Sequence, residues 1–305
     1  MNPLHTETLL AIVDEGSFEA AASVLGITPS AVSQRIKALE VSTGRILLRR
    51  GNPVTVTEAG EIVAQAARRM ALVQAEADAR LTERLSRVPL TVAINSDSLA
   101  TWFRPVIQHT AERGEAALRI RIEDEARTLA MLRRGDVLGA VTREHAPVSG
   151  CESTYVGTMR YFAVAAPSLA EGFSDWDTLP IVGFGPNDAT LDDAMRERFI
   201  DSRVLRARVS QIPSSESYVE AVRCGLGWGL VPRLQAQPLL DSGELVLLDD
   251  FPLDIDLYWQ RWRLESEVLA DLTADVLAAG RGSFSYTPRR TGCTIRTVRW
   301  LKLEA

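Results

Sequence analysis

Apolar residues near the start of the chain recur at helical spacing. Leu9, Ile12 and Val13 fall three and four apart between Pro3 and Glu15, and Glu19 to Leu25 reads as a second, shorter helix closed by Gly26. A third helix follows over Thr28 to Glu40. Thr28 is placed to cap it, and Pro29 suits its first position because the N–H that proline lacks is not needed there. On this helix Val32, Ile36 and Leu39 line one face, while Ser30, Ser33, Gln34 and Lys37 share another at i, i+3, i+4 and i+7. Two helices joined by a tight glycine turn have the form of a helix-turn-helix. Residues 44–57 then read as a β-hairpin turning at Gly51-Asn52-Pro53, with arginines along one arm. From Glu58 to Leu85 no residue breaks a helix. There Val63, Ala66, Met70, Val73 and Ala77 alternate three and four apart, the spacing of a coiled-coil seam, although a helix packed on its own domain gives the same stripe.

Beyond Pro89 the pattern becomes strands alternating with helices, which predicts a parallel sheet. Strands are expected at Leu90–Ile94, Leu118–Ile122 and Val137–Val141, with helices from Leu99 and over Thr128–Arg134. Around Met159 to Pro167 the chain is expected to leave this first lobe. A second set follows at Ile181–Phe184, Ser217–Arg223 and Trp228–Val231, and Asp256–Trp262 with a helix over Leu264–Ala279 returns to the first. The expected architecture is an α+β multidomain chain: an N-terminal winged helix-turn-helix, a long linker helix and a two-lobed α/β domain. The expected boundaries are 1–60 for the head, 61–88 for the linker and 89–280 for the body. Lobe one takes about 89–160 and 262–280, lobe two about 161–261, and a basic, loosely ordered tail covers 281–305.

Charge sharpens this division. The 305 residues carry a formal charge of -6, yet residues 28–57 hold five basic side chains (Arg35, Lys37, Arg45, Arg49, Arg50) against the single acid Glu40. Residues 89–280 hold 18 basic and 29 acidic side chains. A basic patch beside an acidic body suits local contact with nucleic acid rather than indiscriminate binding. The exposed face of the third helix suits the major groove. Its small hydroxyls permit close approach, Gln34 can pair with a base edge, and Arg35, Lys37, Arg49 and Arg50 can neutralise phosphates; a solvated helix face is the plainer alternative.

Several classes are disfavoured. No apolar run is long enough to span a bilayer, and Met1 to Thr8 lacks the features of a signal peptide, so a cytoplasmic chain is expected, without a membrane partner. Cys151, Cys224 and Cys293 form neither a disulfide framework nor a metal-binding pair. His5, His109 and His145 are scattered, and neither a nucleophile elbow nor a phosphate loop is present. No catalytic residue, metal or cofactor is expected, and hence no enzyme. A solute-binding protein would share the two lobes but has no use for the helix-turn-helix.

Gly16-Ser17-Phe18, Ala20-Ala21, Leu25, the Thr28–Glu40 helix, Leu47-Leu48-Arg49-Arg50 and Thr57-Glu58-Ala59-Gly60 together resemble the DNA-binding domain of LysR-type transcription regulators. Leu48 stands where that family usually has Phe, and Pro29 where it often has Gln, which removes one possible base contact. The resemblance implies contacts to double-stranded promoter DNA from Thr28, Ser30, Ser33, Gln34, Arg35, Lys37, Arg49 and Arg50. It further implies pairing of two copies through the linker helix, a tetramer built from such dimers, and RNA polymerase as a partner.

The two lobes resemble the periplasmic-binding-protein fold that the family uses to sense an effector, and in such folds the ligand lies at strand C-termini and helix N-termini. That places Asn95, Ser96, Asp97, Ser98, Glu123, Asp124, Thr142, Arg143, Ser214, Ser215 and Glu216 at the candidate site. Helix N-termini and serines favour a carboxylate. Asp97, Glu123 and Asp124 favour a cation, so a basic amino acid meets both demands. The expected pose puts the α-carboxylate on the Ser96–Ser98 amides and the cationic end near Glu123 and Asp124. Serine and aspartate here are equally ordinary helix caps, and Arg143 a partner for a nearby acid. Ala93–Trp102, Ile122–Glu125, Leu132–Val137, Gly139–Val141 and Leu257–Gln260 resemble the subgroup that controls export of basic amino acids in response to L-lysine or L-arginine. A family member responding to another metabolite is the alternative.

Overall fold

The computed structural model describes residues 2–49, 51, 53–82, 88–123, 125–171, 173, 175–176, 179–186, 188–198 and 209–284. The head is built from α1 (Pro3–Glu15), α2 (Phe18–Leu25), α3 (Pro29–Thr43) and a minimal hairpin of β1 (Leu48–Arg49) and β2 (Thr55–Val56). Each helix starts on a side-chain cap, Asn2, Ser17 and Thr28 in turn, which satisfies an amide that the first turn leaves unpaired. Leu9, Ile12, Val32, Ile36, Leu39 and Leu47 close the core between them. The hairpin pairs Leu48 with Val56 and Arg49 with Thr55, and Glu40 Oε1 fixes its root by accepting from Leu47 N at 2.8 Å.

The linker helix α4 (Glu58–Thr82) begins directly after β2 and packs on both domains. Ala64 joins the head core and Leu72 the core of the body. Its opposite stripe is open: Ile62 is 64% exposed, Met70 43% and Val73 56%. The linker was expected to reach residue 88. Val88 instead opens the first body strand, its N–H donating to Glu115 O at 2.8 Å, and residues 83–87 lie outside the described set.

The body comprises β3 (Val88–Ile94), α5 (Ser96–Ala100), α6 (Arg104–Arg113), β4 (Ala116–Ile122), α7 (Glu125–Arg134), β5 (Gly139–Thr142), β6 (Cys151–Ala165), α8 (Pro167–Ala170), β7 (Ile181–Gly183), α9 (Ala189–Glu197), β8 (Val209–Gln211), α10 (Ser215–Arg223), β9 (Gly229–Pro232), α11 (Arg233–Asp241), β10 (Val246–Leu247), β11 (Leu253–Trp262) and α12 (Glu267–Ser283). β3 pairs in parallel with β4 and β5, as the alternating pattern predicts. One seven-stranded sheet nevertheless runs through both lobes in the order β10-β6-β11-β5-β3-β4, with β9 also on β6. Its continuity comes from β6 and β11, antiparallel from Leu253 opposite Tyr161 to Trp262 opposite Cys151. The chain leaves lobe one along β6: its Cys151–Tyr155 segment lies opposite the part of β11 that pairs β5, and its Tyr161–Val164 segment pairs β9 of lobe two, so the crossing falls between Tyr155 and Tyr161. Between buried Cys151 and Val156 the first half of that strand carries only partly buried or exposed residues, which leaves little apolar signal in the sequence.

The C-terminal boundary also differs from expectation. Arg281 to Ser283 continue α12, and Phe284 packs edge-on against Trp102 with ring centroids 5.7 Å apart, so the tail beyond the core starts later than residue 281. The rest of that tail, with Cys293, is outside the described residues. Of the other cysteines Cys151 is buried and Cys224 exposed.

Candidate functional site

A cavity of about 450 Å³ opens between the lobes. Lobe one supplies Asn95, Ser96 and Asp97 after β3, Ile122 and Glu123 at the end of β4, Arg127 and Thr128 on α7, and Thr142 and Arg143 at the end of β5. Lobe two supplies Phe184, Gly185, Pro186, Asp188 and Thr190 at the start of α9, with Pro213 and Tyr218. The C-terminal ends of the parallel strands β3, β4, β5, β7 and β8 face the cleft, as parallel strands with crossover helices require.

Asp97 sits where the lobes meet. Ser215 Oγ, at the start of α10, donates to one of its oxygens at 2.8 Å, and Tyr161 Oη, on β6, to the other at 3.0 Å. Enclosure in protein raises its pKa, because the charged form loses water; the two hydroxyl donors oppose the shift, and the charges of Asp188 and Glu216 add to it. Tyr161 and Tyr218 are held well above the ordinary tyrosine range by burial, with the charges of Asp97 and Asp188 adding to the effect. Asp188 caps α9, its oxygens accepting from Phe184 N at 2.8 Å and Leu191 N at 3.0 Å. The result is a pocket with a negative interior, whose cationic members are Arg127, 3.5 Å from Glu123, and Arg143, 2.5 Å from Asp193 of α9.

The loop that carries Thr142 and Arg143 is pinned from behind. Gln260, fully buried on β11, accepts from Val148 N at 3.0 Å and donates to Glu144 O at 2.9 Å and Ala146 O at 3.1 Å. One side chain thus bonds three backbone groups of this loop and fixes its course.

Of the residues picked out by sequence, Asn95, Ser96, Asp97, Glu123, Thr142 and Arg143 line the cavity, and Ser215 reaches it through Asp97. Ser98, Ser214 and Glu216 do not line it. Ser98 is buried, its N–H donated to Asn95 Oδ1 at 2.7 Å, so that amide is occupied and the expected carboxylate seat on Ser96–Ser98 is incomplete. Ser214 caps α10, and Glu216 is exposed, 3.8 Å from Arg104. Asp124 lies outside the described residues. Asp188, Arg127, Thr128, Tyr161 and Tyr218 were not anticipated. For Asp188 a signal existed, an acid after a Gly-Pro turn between strand and helix; nothing local in the sequence marks the tyrosines.

In the head, Ser30, Ser33, Gln34 and Lys37 are exposed together on α3, and Arg49 is exposed on the hairpin. Thr28 caps α3 by accepting from Ala31 N at 3.2 Å. Arg35 points elsewhere, its guanidinium donating to Thr8 Oγ1 of α1 at 3.3 Å, and Arg50 is outside the described residues. Among the described residues no group of side chains could hold a metal ion, and no helix is long and apolar enough to cross a membrane.

Known proteins match this chain along both domains. The family model for bacterial regulatory helix-turn-helix proteins of the lysR family matches residues 4–61, and that for the LysR substrate binding domain matches residues 83–280. The chain is 55% identical over 284 residues to the lysine export transcriptional regulatory protein LysG of Corynebacterium glutamicum, covering 92% of this chain and 98% of that one. It is 37% identical over 288 residues to the HTH-type transcriptional regulator ArgP of Pseudomonas aeruginosa, covering 90% and 94%. Full-length LysG from Corynebacterium glutamicum with bound effector Arg superposes with a TM-score of 0.77 at 54% identity, over 93% of this chain and 99% of that one. ArgP from Mycobacterium tuberculosis superposes with a TM-score of 0.78 at 38% identity, over 92% and 97%.

Proposed function

The chain belongs to the LysR family of bacterial transcription regulators, and on that premise we propose that it activates a gene for amino-acid export when lysine or arginine fills the cleft between its lobes. The observation that carries the ligand class is the pair Asp97 and Asp188, two carboxylates on opposite lobes lining one cleft. Their mutual repulsion is relieved by a cation between them, and a basic amino acid brings one. Its cationic end is received by Asp97 and Asp188. Its α-carboxylate faces the side of the cavity that holds Thr142, Arg143 and Arg127, since the Ser98 amide is already bonded. The ligand then touches both lobes, and its different affinity for open and closed arrangements is what makes the site a switch.

The output is read by α3. Ser30, Ser33, Gln34 and Lys37 enter the major groove, Arg49 meets the phosphates beside it, and two copies joined along the open stripe of α4 present two such helices to a symmetric promoter site. A tetramer of two such dimers, with RNA polymerase as the downstream partner, completes the proposed mechanism. Calorimetric titration with lysine, arginine, histidine and a neutral amino acid tests the ligand class. Saturable binding of lysine or arginine and none of the neutral one is the expected result; no heat with either basic amino acid withdraws the ligand class and leaves the DNA-binding role in place.

A further inference from the structure

The cleft and the DNA-reading face belong to different domains, and α7 touches the path between them at both ends. Its first turn lines the cavity through Arg127 and Thr128. Ten residues long, α7 forms a rod of roughly 15 Å that stops against α4. It closes in a Schellman turn: Gly135, at φ 73°, donates to Leu132 O at 3.0 Å, and Asp136 N donates to Met131 O at 2.8 Å. This turn is pressed onto the linker. Gln65 Nε2 donates to the Arg133 carbonyl at 2.7 Å, and a Cβ on Gly135 would lie only 3.3 Å from Gln65.

Arg68, three residues further along α4, ties the turn to the head. Its guanidinium lies 2.8 Å from Asp136 Oδ1 and 2.6 Å from Asp14 Oδ1, and Arg134 Nε donates to the other oxygen of Asp136 at 2.8 Å. The contact with Asp136 is ionic, lacking the angle of a hydrogen bond, whereas that with Asp14 is a directed bond. The side chains of Arg68 and Asp136 are only 14% and 18% exposed, so solvent screens this pair weakly. Asp14 stands in the last turn of α1, where the helix dipole disfavours an acid, and Arg68 compensates for that placement. One guanidinium therefore joins lobe one, the linker and the first helix of the head.

We propose that Arg68 is a positioning residue that passes the state of the cleft to the DNA-binding head, through Asp136 at the foot of α7 on one side and Asp14 of α1 on the other. The proposal rests on the effector reading above, because α7 reports the cleft through Arg127 and Thr128. A displacement of α7 shifts Asp136 against Arg68, and the tether to Asp14 moves with it. Coupling of this kind is a difference in contacts between two states, which separates it from a purely structural ion pair.

The test uses the full chain, arginine as the probe, and a DNA fragment flanking the chain's own gene. In Arg68→Gln, arginine affinity measured by calorimetry should stay within about twofold and unliganded DNA affinity within about threefold of wild type, while the arginine-dependent change in the protected DNA region disappears. Arg68→Lys should restore part of that change. Asp14→Asn, at a more exposed position that leaves the Arg68 and Asp136 pair in place, should uncouple in the same way, and the double variant should be no worse than either single one. A normal arginine-dependent change in either uncoupling variant overturns the proposal, as does an equal loss of arginine and DNA affinity, which marks a structural role. A wild-type chain that binds the fragment yet ignores lysine and arginine removes the effector reading and this coupling together.

Discussion

Asp97 is the residue on which ligand class and stability meet. Its raised pKa means that the folded chain holds a proton that the unfolded chain gives up more readily, so between the ordinary aspartate value and the raised one stability falls as pH rises. Above that window the cost of the enclosed charge is borne in full. Asp97→Asn removes it. The unliganded variant should therefore unfold at a higher temperature than wild type at neutral pH, with the difference closing as pH drops below the ordinary carboxylate range; scanning calorimetry at several pH values checks this. The same substitution removes a charge-assisted contact of about 1.5–3 kcal/mol, so lysine or arginine should bind roughly tenfold or more weakly. In wild type the ionised form is the one that receives a cation, so affinity should rise with pH through the raised value. At the other end of the molecule, Gln34→Ala should cost about 1–3 kcal/mol at the preferred DNA sequence and little elsewhere. Lys37→Ala should weaken all sequences alike and lower the salt slope by about one for each head, about two for the dimer, which competition binding at several salt concentrations separates.

At the scale of elements, the joint between wing and linker tolerates no side chain. A Cβ on Gly60 would come 2.0 Å from the carbonyl oxygen of Leu47, a backbone atom held in place by the root of the hairpin. Gly60→Ala must displace β1 or the start of α4, and a cost of about 2–4 kcal/mol is expected. Loss of DNA binding with arginine binding intact, measured on the same preparation, is the expected outcome, since the clash is confined to the head. These elements were also where the sequence was most and least legible. The caps, the Gly26 turn and the faces of α3 could be read directly, because helix periodicity and capping are local. Strand β6 could not be read in full: its first half is mostly partly buried or exposed, and its pairing with β11 joins residues about a hundred positions apart. Asp188 and Tyr161 escaped for the same reason. Each is unremarkable in its own segment, as a helix cap or a core aromatic, and becomes a site residue only when β6 and α9 are brought against α5.

For the whole molecule, the proposed mechanism makes the open stripe of α4 the seam that brings two copies of α3, not one, to the DNA. Ile62, Met70 and Val73 are exposed in a single copy, whereas Ala64 and Leu72, on the other side of the same helix, are spent on the chain's own cores. Burying a side chain such as Val73 or Met70 fully contributes about 1.5–3 kcal/mol, and a symmetric pair counts each contact twice. Val73→Glu replaces that gain with two facing acids, and it lies away from both the cleft and α3. Sedimentation should show the wild-type chain as a dimer or tetramer and the variant shifted toward the monomer, while arginine binding persists. DNA binding should fall far more than any single groove contact explains, because a monomer contacts one half-site, and the salt slope should drop toward half as the phosphate contacts of the second head are lost. An unaltered oligomer in Val73→Glu would mean that the stripe is not the dimer seam, and that the pairing of heads on DNA must come from the lobes instead.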